Sequence, residues 1–569
     1  MSFWSEMKRR HVIRVMIAYV LVGVATGGAA EVFLPNLGAP EWVLSTVLVL
    51  LILGLPGALV LAWAFEMTPS GIIRDTGAGE VAVAGKTPQS IPGQQAVVEV
   101  DHNSIAVLPF ADMSPNGDQE YFGDGIAEEL INALVKIPDF RVAARTSSFK
   151  FKGEKTDVRE IGRELGVSTV LEGSVRKEGD QLRVTAQLVS VHDGYHLWSE
   201  TYDRSIEHIF AIQDELARAI VERCRVTLGE DSPEPARATN NPEAYDLYLQ
   251  GRHLWYRRHE VGLKTALNYF ERALEVDPAY ALPYSGVCDV HTISGFYGVN
   301  SPAEARSKAG AALESALCHG PDLPETQFSL GLYRMAFEPE LNDALSAWTR
   351  AAELRPGFGD ALTWRALALV VQGRVEEAVT VAREGLKAEP DSMYTRLIGA
   401  NALFAARRYD EGIPVLRKLV EEFPAWILGN YFYAVMCASV GDWPTALSQA
   451  ESVVSATPEP FFKGILAHCL RGAGRAAEAD AIVEELKELE ASRYVSQWAQ
   501  THAMLPSDDT EEIVSRLRRA HEVGDPFLRF YLTFQDWDPL RSDPRVDRIL
   551  RDLGMAAWTA EGVRERFGE

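Results

Sequence analysis

The spacing of apolar residues changes character several times along the chain. Val15 to Ala30 holds no charged residue, and Val32-Phe33-Leu34 extends the run past Glu31. Trp42 to Phe65 is a longer uncharged stretch rich in Leu and Val. A helix needs about 20 mainly apolar residues to cross the hydrocarbon core of a bilayer. The link Pro35 to Glu41, with Asn36, Gly38 and Pro40, leaves room only for a tight turn. The pattern therefore predicts a two-helix transmembrane hairpin over residues 15–66, preceded by a basic segment, residues 1–14. Lys8, Arg9, Arg10 and Arg14 flank the first helix, whereas the link carries Glu41 and no Lys or Arg. Positive flanks stay in the cytoplasm, which places the remaining chain there as well. If only one segment spans, residues after about Met67 face the periplasm instead. Residues 67–102 lack helical periodicity in their Gly-, Ala-, Gln- and Pro-rich part and read as a linker.

From Ser104 the pattern becomes that of short strands and amphipathic helices. Ser104 to Phe110 is a short apolar run suited to a buried strand. A glycine-bearing turn, Tyr121 to Gly125, precedes Ile126, Leu130, Ile131, Leu134 and Val135 at helical spacing. Phe140–Ala143, Thr169–Val175, Leu182–Val191 and His196–Tyr202 read as further strands, with Gly179-Asp180 as a hairpin turn. Asp157–Leu165 and Ile209–Leu228 read as helices. The order β-α-β-α-β-β-β-α implies a mixed sheet covered mainly on one face by helices, an α/β domain spanning residues 103–230.

Beyond Pro242 a long period takes over. Pro356, Pro390, Pro424 and Pro458 stand 34 residues apart, and the same step relates Ala366, Ala400 and Ala434. It also relates Ala378, Gly412 and Ala446, and again Val375, Tyr409 and Trp443. Small residues let two helices cross closely, and proline ends the second helix because it lacks an amide hydrogen and clashes with the preceding turn. Looser units surround Gly251, Gly286 and Leu330-Gly331, and Gly474 and Ala479 mark a degenerate one. This register resembles the tetratricopeptide repeat. It implies an all-α solenoid of six or seven repeats over residues 240–490, with a concave wall built from the first helix of each pair. Projected onto that wall, Asp360, Thr363, Tyr394, Asn401, Phe404 and Tyr431 are the expected contacts for a protein or peptide ligand. Residues 491–569 carry further helical patterning and are expected to cap the last apolar face.

Composition narrows the chemistry. A net charge of −24 over 569 residues offers no basic footprint for nucleic acid. Five dispersed cysteines form no CxxC pair and no zinc spacing. Gly123-Asp124-Gly125 could offer an anion site at a helix amino terminus, but Asp118 and Asp124 would repel phosphate and no Lys-Ser/Thr pair follows. His192, Asp193 and His196 sit close together without a further His or Cys motif, and Ser147-Ser148 lacks a partner base. No catalytic residue, cofactor or metal is expected.

Four stretches of the middle domain carry a resemblance. Ile105–Phe110, Tyr121–Leu130, Gly166–Arg176 and His196–Asp203 look like the TolB amino-terminal-like domain of bacterial multidomain proteins. That domain commonly lies between an amino-terminal module and tetratricopeptide repeats, and the family brings no established catalytic residues. The resemblance implies a scaffold at the bacterial inner (plasma) membrane, anchored by the hairpin, with a docking or sensing domain and a partner-binding solenoid. Two other readings stay open: a periplasm-facing envelope-assembly component, and a signalling enzyme of the cyclase-associated type.

Overall fold

A computed structural model describes residues 65–68, 71–74 and 104–568, apart from 136, 138–139, 144, 154–155, 224–238, 256–259, 391 and 506–508. Two compact units are present, residues 1–96 and 97–569. In the first, β1 (Phe65–Thr68) and β2 (Gly71–Arg74) pair antiparallel, Phe65 opposite Arg74 and Thr68 opposite Gly71. This corrects the expected fold class. The two residues that the transmembrane hairpin assigned to its carboxyl end, Phe65 and Glu66, lie in a strand, and the rest of the hairpin lies outside the described residues. Among the described residues no helix is long and apolar enough to cross a membrane. The assignment of residues 65–66 to the hairpin followed from hydropathy alone. The local signal at its end is a hairpin signal instead: Pro69-Ser70 between two short runs, the second holding the β-branched pair Ile72-Ile73. The membrane partner expected from that hairpin is withdrawn with it.

The second unit begins with a sheet. Its strands are β3 (Ser104–Val107), β4 (Ala111–Asp112), β5 (Arg141–Val142), β6 (Thr169–Glu178), β7 (Gln181–Ser190) and β8 (His196–Ser205). The order is β5-β3-β6-β7-β8, with β4 also beside β6. β3 runs parallel to β5 and β6, whereas β6, β7 and β8 form an antiparallel meander. Helices α1 (Glu120–Val135), α2 (Arg145–Phe149), α3 (Val158–Leu165) and α4 (Ile209–Arg223) complete the layer. Asp157 caps α3 by accepting from the Arg159 amide, and Gly166 ends it in the left-handed conformation.

Alternation sorts the β3 side chains between two cores. Ile105 and Val107 join the α1 and α4 side, while Ala106 joins Ile161 of α3 on the other. The expected turn at 121–125 is instead the first part of α1. Its glycines serve close approach: a Cβ on Gly123 would come within 2.4 Å of the Phe110 carbonyl oxygen, and one on Gly125 within 2.3 Å of Leu249.

Among the described residues, fourteen helices follow between Pro242 and Glu490: α5 (Pro242–Trp255), α6 (Glu260–Val276), α7 (Ala281–Phe296), α8 (Pro302–His319), α9 (Pro324–Phe337), α10 (Leu341–Leu354), α11 (Gly359–Val371), α12 (Val375–Ala388), α13 (Met393–Ala405), α14 (Tyr409–Glu422), α15 (Ile427–Ser439), α16 (Trp443–Ala456), α17 (Pro460–Gly472) and α18 (Ala476–Glu490). They stack as seven pairs, a tetratricopeptide-type solenoid. The small residues of the 34-residue register sit at the crossings. Ala366, Ala378, Ala400, Ala434 and Ala446 are fully buried, and a Cβ on Gly331 would meet the Trp348 indole at 2.5 Å. Stacking lets each pair bury an apolar face that it could not bury alone.

The tail holds α19 (Gln497–His502), α20 (Thr510–Val523), α21 (Leu528–Tyr531), α22 (Pro544–Asp552) and α23 (Ala560–Phe567), with 3-10 turns at Gln535–Leu540 and Ala556–Trp558. It first covers the last pair, Val495 and Ala503 packing with Ala467, Leu470 and Val483. It then turns back along the solenoid.

Candidate functional site

The inner wall of the solenoid is occupied by the chain's own tail. Phe527 packs on Phe296 at 5.2 Å and on Phe461 at 5.1 Å between ring centroids. Phe534 meets Phe404 edge-on at 5.0 Å. Tyr531 lies between Trp498 and the wall, and its hydroxyl donates to the Tyr431 hydroxyl at 3.2 Å. Further along, Trp558 Nε1 donates to the Val370 carbonyl at 2.9 Å. Six buried tail aromatics (Phe527, Phe530, Tyr531, Phe534, Trp537 and Trp558) anchor the segment. At ~2 kcal/mol per buried large side chain they contribute on the order of 10 kcal/mol of apolar transfer free energy to holding the tail on the wall.

Polar ties fix its register. Asp538 receives the Arg407 guanidinium at 2.8 and 2.7 Å and Arg541 Nε at 2.7 Å. Arg541 is buried and also donates to the carbonyls of Trp558 and Leu532, both at 2.7 Å. Asp536 accepts from Ser439, and Tyr409 donates to Gln535 at 2.8 Å. Burial raises the Asp536 carboxyl to about 6, against the lowering effect of the Ser439 bond.

The six residues projected onto the concave wall separate into distinct surroundings. Asn401, Phe404 and Tyr431 face the tail. Asn401 Nδ2 donates to the Leu397 carbonyl at 2.8 Å, and its side chain lines a small apolar gap with Phe527 and Phe530. Tyr394 packs on Trp426 and across the superhelix on Trp255 of α5. Thr363 is buried and donates back to the Gly359 carbonyl at 3.0 Å, a packing role within α11. Asp360 instead lines a cavity shared with the α/β layer.

Two groups of functional interest were not anticipated. Arg407 is one, although the sequence held its signal: it stands 34 residues after Gly373 and 34 before Gly441, both at positive φ in the same interhelix turn. The other is the ring of charges around that cavity, Glu128, Arg145, Arg252, Arg355 and Glu389. Their positions are too far apart in sequence for any spacing to reveal them. His192, Asp193 and His196 lie at an exposed hairpin, where Asp193 accepts from the Tyr195 amide at 3.2 Å. Among the described residues no three His, Cys, Asp or Glu side chains are grouped to hold a metal ion.

Comparison with known proteins separates the two parts of this unit. Residues 340–393 match the model of the tetratricopeptide repeat. Residues 101–219 match the second domain of HilA/YgeH-like transcriptional regulators, and the TolB resemblance of that segment finds no support. A Rhizobium meliloti (strain 1021) protein named "Putative adenylate cyclase 3" is 37% identical over 255 residues, which is 44% of this chain and 42% of that protein. The chain thus spans less than half the length of this curated relative. Solved structures similar to the chain include a tetratricopeptide repeat protein of Parabacteroides merdae, at 18% identity and TM-score 0.30 over 47% of this chain and 99% of that one. Yeast Tom70 is another, at 12% identity and TM-score 0.34 over 60% of this chain and 78% of that one. The chain carries tetratricopeptide repeats, the repeat type that the 34-residue period and the stacked helix pairs describe.

Proposed function

We propose that this chain is a non-catalytic adaptor that binds a partner protein at the inner wall of its solenoid, in exchange for its own tail. One observation carries the reading. The wall built by Asn401, Phe404 and Tyr431 already holds a non-repeat polypeptide segment, through spaced aromatic side chains and one aspartate. A groove that accepts such a segment in cis has the chemistry to accept one in trans. The tethered tail competes at an effective concentration in the millimolar range, so a partner segment must match its aromatic burial to displace it.

Weakening the Asp538 tie tests the exchange. In crosslinking mass spectrometry on full-length chain, Asp538→Asn should raise partner crosslinks to residues 394–439 several-fold over wild type. Unchanged crosslinks there, or crosslinks confined to other faces, refute the exchange. A catalytic reading draws on the name of the Rhizobium relative. Formation of a cyclic nucleotide from ATP or GTP by the purified full-length chain would replace the adaptor reading.

A further inference from the structure

The tail leaves one end of Asn401 unsatisfied. This side chain, on α13, is 1% exposed. Its Nδ2 donates to the Leu397 carbonyl at 2.8 Å, which fixes the orientation of the amide and turns Oδ1 the other way. Among the described residues Oδ1 has no hydrogen-bond partner. A buried acceptor in that state bears the cost of leaving water with no bond in return. Such groups are uncommon in folded proteins and call for an explanation.

The surroundings supply one. Asn401 lines a gap of about 30 Å³ at the seam between wall and tail. Ile293, Phe296, Met335 and Phe432 give the wall side its apolar character, and Phe527 and Phe530 close the gap from the tail. A phenyl ring carries no hydrogen-bond donor. Elsewhere the tail does answer the polar groups it covers. Tyr531 donates to the Tyr431 hydroxyl, Gln535 to the Ser439 carbonyl and Trp558 to the Val370 carbonyl. At Asn401 it does not.

An indole would do both things that the two phenyl rings leave undone. It is the larger ring system, and its Nε1–H is a donor with no acceptor of its own to satisfy. Tryptophan is also enriched among the side chains that dominate binding energy at interfaces. We propose that the partner segment of the inner wall presents a tryptophan to Asn401, its indole N–H donating to Oδ1 and its second ring filling the gap beside Phe432. This rests on the adaptor reading and names the chemistry of its partner. A segment in trans gains at Asn401 a bond that the tethered tail does not make, and this offsets part of the tail's advantage in effective concentration.

Peptides spanning residues 520–545 test it, with Phe527 or Phe530 kept, replaced by tryptophan, or replaced by naphthylalanine. Naphthylalanine has two fused rings and no N–H. Binding is read by fluorescence anisotropy on the full-length Asp538→Asn chain, whose own tail is loosened. A tryptophan peptide should bind about tenfold more tightly than its phenylalanine and naphthylalanine counterparts. On the chain that also carries Asn401→Leu, the difference between tryptophan and naphthylalanine should vanish. Equal binding of those two peptides with Asn401 in place, the result expected if a water satisfies Oδ1, overturns the assignment and leaves the adaptor reading standing. Binding by none of the peptides at millimolar concentration sinks the exchange itself, and the assignment with it. The peptide comparison needs no change in the wall, so it decides the matter even if Asn401→Leu fails to fold.

Discussion

Arg407 is, among the described residues, the one non-glycine at positive φ, at 63°. Its amide donates to the Phe404 carbonyl and the Arg408 amide to Leu403, both at 2.9 Å. The same pair of bonds closes the turns at Gly373 and Gly441, the glycine-ended helix cap. A side chain in this conformation costs ~1 kcal/mol, so its presence needs a return. The return is the forked pair with Asp538 and a position over the Phe567 ring at 5.1 Å. Asp538 is partly exposed and keeps Arg541 as a partner, so losing the Arg407 charge-assisted bonds costs about 1.5–3 kcal/mol, which still outweighs the relief of strain. Arg407→Gly should therefore destabilise the chain by roughly 1–2 kcal/mol in denaturant titration. Arg407→Lys should recover part of the loss, since lysine keeps the charge without the fork. A glycine variant as stable as wild type would show that the tie to Asp538 contributes nothing.

At the scale of elements, the helix pairs were legible because their spacing requirements are local. Proline after the second helix and a small residue at each crossing are fixed by geometry within 34 residues, and Ala400 and Gly412 could be read with no knowledge of neighbours. The strands from Thr169 to Ser205 were legible for the same reason, through alternation and the Gly179-Asp180 turn. The path of the tail was not. Nothing local in the segment around Phe527 and Phe534 states that it returns to meet Phe296 and Phe404 more than a hundred residues earlier. Glu128 and Glu389 were invisible as partners of one cavity for the same reason. The crossings also make a quantitative prediction. Gly331→Ala gains up to ~1 kcal/mol of helix propensity. The new Cβ would also press on the rigid Trp348 indole, and overpacking costs about 1–3 kcal/mol. The second effect should win, lowering the thermal midpoint. A raised midpoint would show that α9 and α10 can separate without loss.

The whole molecule balances buried groups that respond to acid in opposite ways. Burial lowers His291 and His468 to about 4, and burial with the neighbouring His468 holds His502 well below the usual imidazole value. These three stay neutral when folded, so the unfolded chain binds more protons below about pH 6.5 and acid destabilises. Burial raises Asp525 and Asp536 to about 6 and Glu389 to about 7. These bind protons more readily when folded, so between their ordinary values and those pH values acid stabilises. The two sets overlap between about pH 4 and pH 6, where their slopes oppose. Asp536→Asn removes one member of the second set. Its loss leaves the histidines less opposed, and the slope should steepen by up to ~1.4 kcal/mol per pH unit toward loss of stability on acidification. Denaturant titrations of both proteins at pH 5 and pH 6 measure that difference directly. Because Asp536 sits on the tail and contacts Ser439 of α15, a parallel slope in the two proteins would mean that the tail carboxyl ionises as freely as in water, and that the inner wall is not closed over it.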